Sequence, residues 1–194
     1  MRSALYKYRY FSFLFFVSGF AGIIYESVWT QYARIVFGHA AFAQTFVLIL
    51  FLGGLALGAW IGGKIVQKSA RLFLLYALAE VLIGILALLF NHVFTIYHDL
   101  VFNVIHPGFT VKWAEFLKWM VILAITLPST LLIGATFPFI ASAMQREMPG
   151  RGGRVVSQFY FINSMGAATG ILVSGFVLIP AEGLPGTMIT AGMI

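Results

Sequence analysis

The sequence predicts an all-α membrane domain, a polytopic bundle of five to six transmembrane helices. Three observations predict it: apolar runs long enough to cross a bilayer, a composition almost free of charge, and basic residues gathered in short segments between the runs. Hydrophobic residues occupy 61% and charged residues 9% of the 194 positions, against about 45–50% and about 25% in a soluble domain. Lipid is therefore the expected solvent. The 20 Phe and 20 Gly fit this reading, bulk toward the acyl chains and small residues where helices touch. The absence of Cys excludes disulfides, thiolate chemistry and Cys-held zinc or iron–sulfur centres. The net charge of +6 would suggest nucleic acid in a soluble protein, but its clustering between apolar runs is a topology signal, and no nucleic-acid partner is expected.

Apolar runs can be read at 10–33, 40–63, 72–90, 117–144 and 155–180, with a sixth expected to begin near 187, all within one domain over 1–194. Each is near the roughly 20 residues that a span needs. With the N-terminus in the cytoplasm, Arg2, Lys7, Arg9, Lys64, Lys68, Arg71, Arg146, Arg151 and Arg154 lie inside, and only Arg34, Lys112 and Lys118 outside. The opposite orientation would invert the positive-inside rule in three successive loops. The basic start followed by an apolar run could also be a cleaved signal, but the run continues to Trp29 and no small-x-small site follows it in a polar region. The expected location is the inner (plasma) membrane of a bacterium. The outer segment Asn91–Phe116, with Tyr97, His98, Asp99, Phe102, His106, Pro107, Trp113 and Glu115, reads as an amphipathic connector with room for an interfacial helix.

The second span carries Gly54, Gly58 and Gly62 at four-residue spacing, and the fifth carries Gly166 and Gly170 followed by Ser174. Such stripes let another backbone approach closely. Packing within the chain is expected ahead of pairing with a second copy, which leaves a homo-oligomer open. The matched stripes also suggest two three-helix units of inverted topology, an arrangement known within each half of major facilitator transporters.

Polar residues inside the apolar runs are the candidate substrate-binding groups. Glu26 lies about 10 Å deep from the outer end of the first span and Glu80 about 12 Å deep from the inner end of the third, at 1.5 Å per residue. A carboxylate in a bilayer is costly, so it faces an aqueous cavity, finds a partner or stays protonated. Asn163 enters the fifth span from the same side and to the same nominal depth as Glu80, so the two are expected to face each other. Gln44 sits near the level of Glu26. The fourth span holds Pro128, Gly134 and Pro138 and should kink or break, with Ser129, Thr130 and Thr136 available to satisfy freed backbone groups. His39, His92, His98 and His106 show no paired-ligand spacing, so neither a metal site nor a cofactor is expected.

Five stretches together resemble a known family: Ser18-Gly-Phe-Ala-Gly-Ile-Ile-Tyr-Glu-Ser-Val-Trp29, Phe51-Leu-Gly-Gly-Leu-Ala-Leu-Gly58, Tyr76-Ala-Leu-Ala-Glu80, the Leu127-Pro128 to Phe137-Pro138 run, and Tyr160-Phe-Ile-Asn-Ser-Met-Gly-Ala167. They are similar to the membrane domain of the spermidine synthase-like membrane proteins, also described as fused major facilitator/spermidine synthase proteins, over about residues 12 to 186. In that family a soluble aminopropyltransferase-like domain typically follows the membrane domain. No glycine-rich nucleotide loop or acidic amine-binding set is present in these residues, so the resemblance does not make this chain an enzyme. Lys64–Arg71 looks like the facilitator loop motif, with Gln67 where an acidic residue is expected. The resemblance and the two intramembrane carboxylates lead us to expect a transporter-like module for a small cationic solute linked to polyamine or S-adenosylmethionine metabolism. The alternative is a non-transporting anchor or assembly partner for a spermidine synthase-like catalytic domain or another subunit.

Overall fold

In the computed structural model, which describes residues 2–100 and 111–194, six helices follow one another. They are α1 (Arg2–Phe37), α2 (Ala40–Lys68), α3 (Leu72–Leu100), α4 (Val111–Glu147), α5 (Gly152–Val173) and α6 (Ile179–Met193), with a π-helical turn, Ser174–Leu178, between the last two. No strand occurs among the described residues. Each of α1 to α4, and the stretch Gly152–Met193, is long and apolar enough to cross a membrane. Large apolar side chains face outward on several helices, among them Ile49, Leu52 and Trp60 on α2, Val81 and Ile85 on α3, and Phe161 and Leu172 on α5, with Phe176 on the π-helical turn. Only lipid can cover so much exposed apolar surface without penalty. The chain is an all-α integral membrane protein.

The glycine stripes decide which helices touch. Gly54, Gly58 and Gly62 lay α2 against α4, where an added Cβ would collide with Thr130, with the Leu131 carbonyl and, 2.8 Å away, with Pro138 Cγ. The approach is mutual, since Gly134 of α4 meets the Leu55 backbone. Gly166 and Gly170 lay α5 against α1 at the carbonyls of Phe16 and Phe20. Both stripes are thus used within the chain. The α2–α4 and α1–α5 pairs are the two most extensive packings in the bundle. If α1–α3 is exchanged with α4–α6 in order, each of these pairs becomes the other, and the α3–α4 packing becomes the α1–α6 packing, which is also present. The helix pairing is therefore the one that two inverted three-helix units would give.

Where the sequence predicts a kink or break at Pro128 and Pro138, α4 runs unbroken through both. A proline inside a helix removes one donor and crowds the preceding turn, and close packing on α2 keeps the segment helical across both positions. The hydroxyls of Thr130 and Thr136 donate to Leu127 O at 2.9 Å and Ile133 O at 2.7 Å, not to the carbonyls four residues before each proline.

The break falls instead at Gly183, whose φ of 68° and ψ of −178° leave the helical region. The chain reverses there. Asn91 Nδ2 donates to Pro185 O at 3.1 Å, Tyr25 donates to Ala191 O at 2.9 Å, and Gly192 lies against Gly84. Residues 185–192 thus descend alongside α3 in the opposite sense, which places the start of the returning segment a few residues before the predicted 187. At the other end of the apolar runs, α3 continues to Leu100 and α4 already begins at Val111. Most of the predicted connector Asn91–Phe116 therefore extends these two helices; its Phe102, His106 and Pro107 lie outside the described residues.

Polar contacts tie the N-terminal end of the bundle. Lys7 and Glu147 form an ion pair at 2.7 Å, and Tyr8 donates to Gln158 at 2.8 Å. Arg146 donates to Ser69 O and Val66 O, both at 2.9 Å, so a basic residue of the last turn of α4 closes the C-terminal carbonyls of α2. Lys64 sits over the Trp60 ring, 3.4 Å from its centre.

Candidate functional site

Helical spacing assembles a cavity from α1, α3 and α6. On α1, Leu14, Ser18, Ala21 and Tyr25 recur at intervals of three and four and so share a face. On α3, Tyr76, Glu80 and Ile83 do the same, with Gly84 one turn beyond Glu80. These faces enclose about 410 Å³, with Gly192 and Ile194 forming a third wall and Phe11 and Phe73 the end nearest the N-terminus. That volume lies in the range of small-molecule sites. Phe11 and Phe73 stack with ring centres 4.5 Å apart.

Glu80 is the one carboxylate in this cavity. Its Oε1 is buried and accepts no hydrogen bond, while the hydroxyls of Ser18 and Tyr76 are placed to donate to the carboxyl group. No Lys or Arg forms an ion pair with it among the described residues. The Tyr25 hydroxyl is committed to Ala191 O, which leaves its ring as wall. The arrangement is an apolar, aromatic-lined chamber with one acidic group lacking a counter-charge.

Asn163 does not complete this site, contrary to the expectation that it faces Glu80. It lines a second cavity of about 310 Å³ between α1, α2, α4 and α5, with Thr136, Phe137 and Tyr160. Its side chain is pressed against Gly19. Ser18 and Ile133 line both cavities, so α1 stands between the two groups. The physical reason is the α5 stripe, which carries Asn163 onto the far side of α1.

Glu26 and Gln44 line a third recess of about 270 Å³ between α1, α2 and α5, together with Arg34 and Ser174. Thr30 donates to Glu26 Oε1 at 3.3 Å, and Arg34 donates to Gln31 at 2.9 Å. Among the described residues no group of three His, Asp or Glu could hold a metal ion; His106 lies outside them.

Sequence reasoning did not single out Ser18, Tyr76 or Arg34 as site residues. Tyr76 could have been found, because it precedes Glu80 by one helical turn. Gly192 could not, since its place depends on the reversal at Gly183. No protein-family model matches the chain, and neither does any curated protein or solved structure.

Proposed function

We propose that this chain is a transporter-like membrane module that binds a small organic cation in the Glu80 cavity. The observation that carries the reading is the buried, unbonded Glu80 Oε1 in a chamber walled by Tyr25, Phe73 and Tyr76. A carboxylate with no internal counter-ion is stabilised by a bound cation, and aromatic faces attract the same charge through their quadrupoles. The volume suits a linear or compact amine. A link to polyamine or S-adenosylmethionine metabolism rests on the resemblance of the five stretches described above.

Calorimetric titration of the purified chain with putrescine and spermidine tests the reading. Glu80→Gln keeps the shape and removes the charge, so it should weaken amine binding about tenfold or more, as expected for loss of one charge-assisted bond, while leaving the melting temperature unchanged. Equal binding by the wild type and the variant, or no binding by either, sinks the proposal. The second of these results would favour the anchor role.

The orientation belongs to the same proposal: the N-terminal end faces the cytoplasm of a bacterial inner membrane, since nine of the twelve basic residues then lie inside. The chain has no Cys, so a single introduced thiol reports alone. In intact cells a membrane-impermeant maleimide should label His92→Cys and leave Pro149→Cys unlabelled until the cells are opened. The reverse pattern would invert the topology.

A further inference from the structure

We propose that the recess between α1, α2 and α5 is a second binding site, built for a small soluble zwitterion whose ammonium group meets Glu26 and whose anionic group meets Arg34. It shares no lining residue with the Glu80 cavity. The two readings therefore stand or fall separately.

Glu26, Thr30 and Arg34 recur at four-residue intervals and project from one face of α1 into the recess. Neither group meets an opposite charge among the described residues. Glu26 has only the hydroxyl of Thr30 at 3.3 Å, and Arg34 only the amide oxygen of Gln31 at 2.9 Å; neither belongs to an ion pair among the described residues. The two residues are two helical turns apart, about 12 Å along the axis, so each is left with charge and hydrogen-bonding capacity to spare. A guanidinium offers a planar fork to a carboxylate or phosphate, and a carboxylate takes an ammonium.

The opposite wall favours the same use. Ser174 and Gly175 come from the π-helical turn, a widening of the helix that occurs frequently at functional sites. A side chain at Gly175 would meet only open space, so the recess is roomy at that wall. Arg34, Gln31 and Ala40 also line an adjoining depression of about 360 Å³ near the α1–α2 turn, which gives the site an approach from the end of the bundle. The separation of Glu26 and Arg34 selects a ligand whose two charges are several bonds apart, such as an ω-amino carboxylate. An α-amino acid or a phosphoethanolamine headgroup holds its charges closer together.

The test is calorimetric titration of the purified full chain carrying Glu80→Gln, which keeps amines in the Glu80 cavity from dominating the signal, with glycine, 4-aminobutanoate and 6-aminohexanoate, and with hexylamine and hexanoate as ligands that lack one charge. We expect 6-aminohexanoate to bind best and each singly charged ligand about tenfold or more weaker, the loss of one charge-assisted contact. Glu26→Gln should erase the preference for 6-aminohexanoate over hexanoate, and Arg34→Gln the preference over hexylamine. Gly175→Leu, whose Cβ would meet nothing within 4 Å at the edge of the recess, should weaken 6-aminohexanoate at unchanged melting temperature. Absence of binding across the series, equal binding of hexylamine and 6-aminohexanoate, or preferences that survive both charge variants would overturn the proposal. So would phosphatidylethanolamine retained by the purified chain through Glu26 and Arg34 with no 6-aminohexanoate bound, which would make the occupant a lipid headgroup.

Discussion

Gly58→Ala should cost more than about 3 kcal/mol, and Gly58→Leu should leave little folded protein. A Cβ at Gly58 would collide with the Leu131 carbonyl oxygen and lie 2.8 Å from its carbonyl carbon. These are backbone atoms of α4 and cannot rotate away. Relief requires the two helices to separate, which loosens the contacts of Gly54 and Gly62 as well, so the cost exceeds the roughly 1–3 kcal/mol of ordinary overpacking. Gly53 and Gly63 lie on the same helix with nothing within 4 Å of an added Cβ. Alanine there should be neutral, or stabilising by about 0.5–1 kcal/mol through reduced backbone freedom. Tryptophan-fluorescence melting in detergent separates the two cases. Equal melting of Gly58→Ala and Gly53→Ala would remove the close α2–α4 packing from the account.

Gly183→Ala should be the next most damaging single change. Its φ of 68° with ψ of −178° falls where essentially only glycine is at ease, and another residue pays about 1–3 kcal/mol. Asn91→Leu acts on the same reversal from α3. Asn91 accepts from Tyr32 at 2.8 Å and donates to the exposed Pro185 O at 3.1 Å; leucine removes both bonds and leaves the buried Tyr32 hydroxyl unpaired, at about 1–3 kcal/mol for such a group. Because both variants release one segment, their effects should be less than additive. Gly192 and Ile194 wall the Glu80 cavity, so amine binding should fall in both variants with Glu80 itself intact. Strictly additive losses with unchanged amine binding would show that residues 184–194 do not form that wall.

Much of the candidate site was legible as a list of residues and little of it as an arrangement. Glu80 and Glu26 stand out because a carboxylate in an apolar run is costly wherever it points. Counting residues from a span's end gave Glu80 and Asn163 the same depth, but depth is only one coordinate of a helical residue. The azimuth decides what the side chain meets, and it is set by which neighbours the glycine stripes admit. Asn163 went to Gly19 on one side of α1 and Glu80 to Ser18 on the other. The prolines leave α4 helical for a related reason. A break at Pro128 or Pro138 is a local tendency, and α4 is held from outside by α2 along Gly54, Gly58 and Gly62.

By itself the amino-acid sequence determined the solvent, the helical class and the small faces of α2 and α5. Each follows from local chemistry: apolar length against bilayer thickness, backbone groups that must be satisfied within the segment, and the absence of side chains along a stripe. The tertiary structure alone decided that the stripes pair α2 with α4 and α5 with α1, that Gly183 turns the chain back along α3, and that Glu80 faces a cavity with its Oε1 unbonded. Those outcomes depend on contacts between residues as distant in sequence as Tyr25 and Ala191, and a helix carries no record of its partner beyond the shape of its surface.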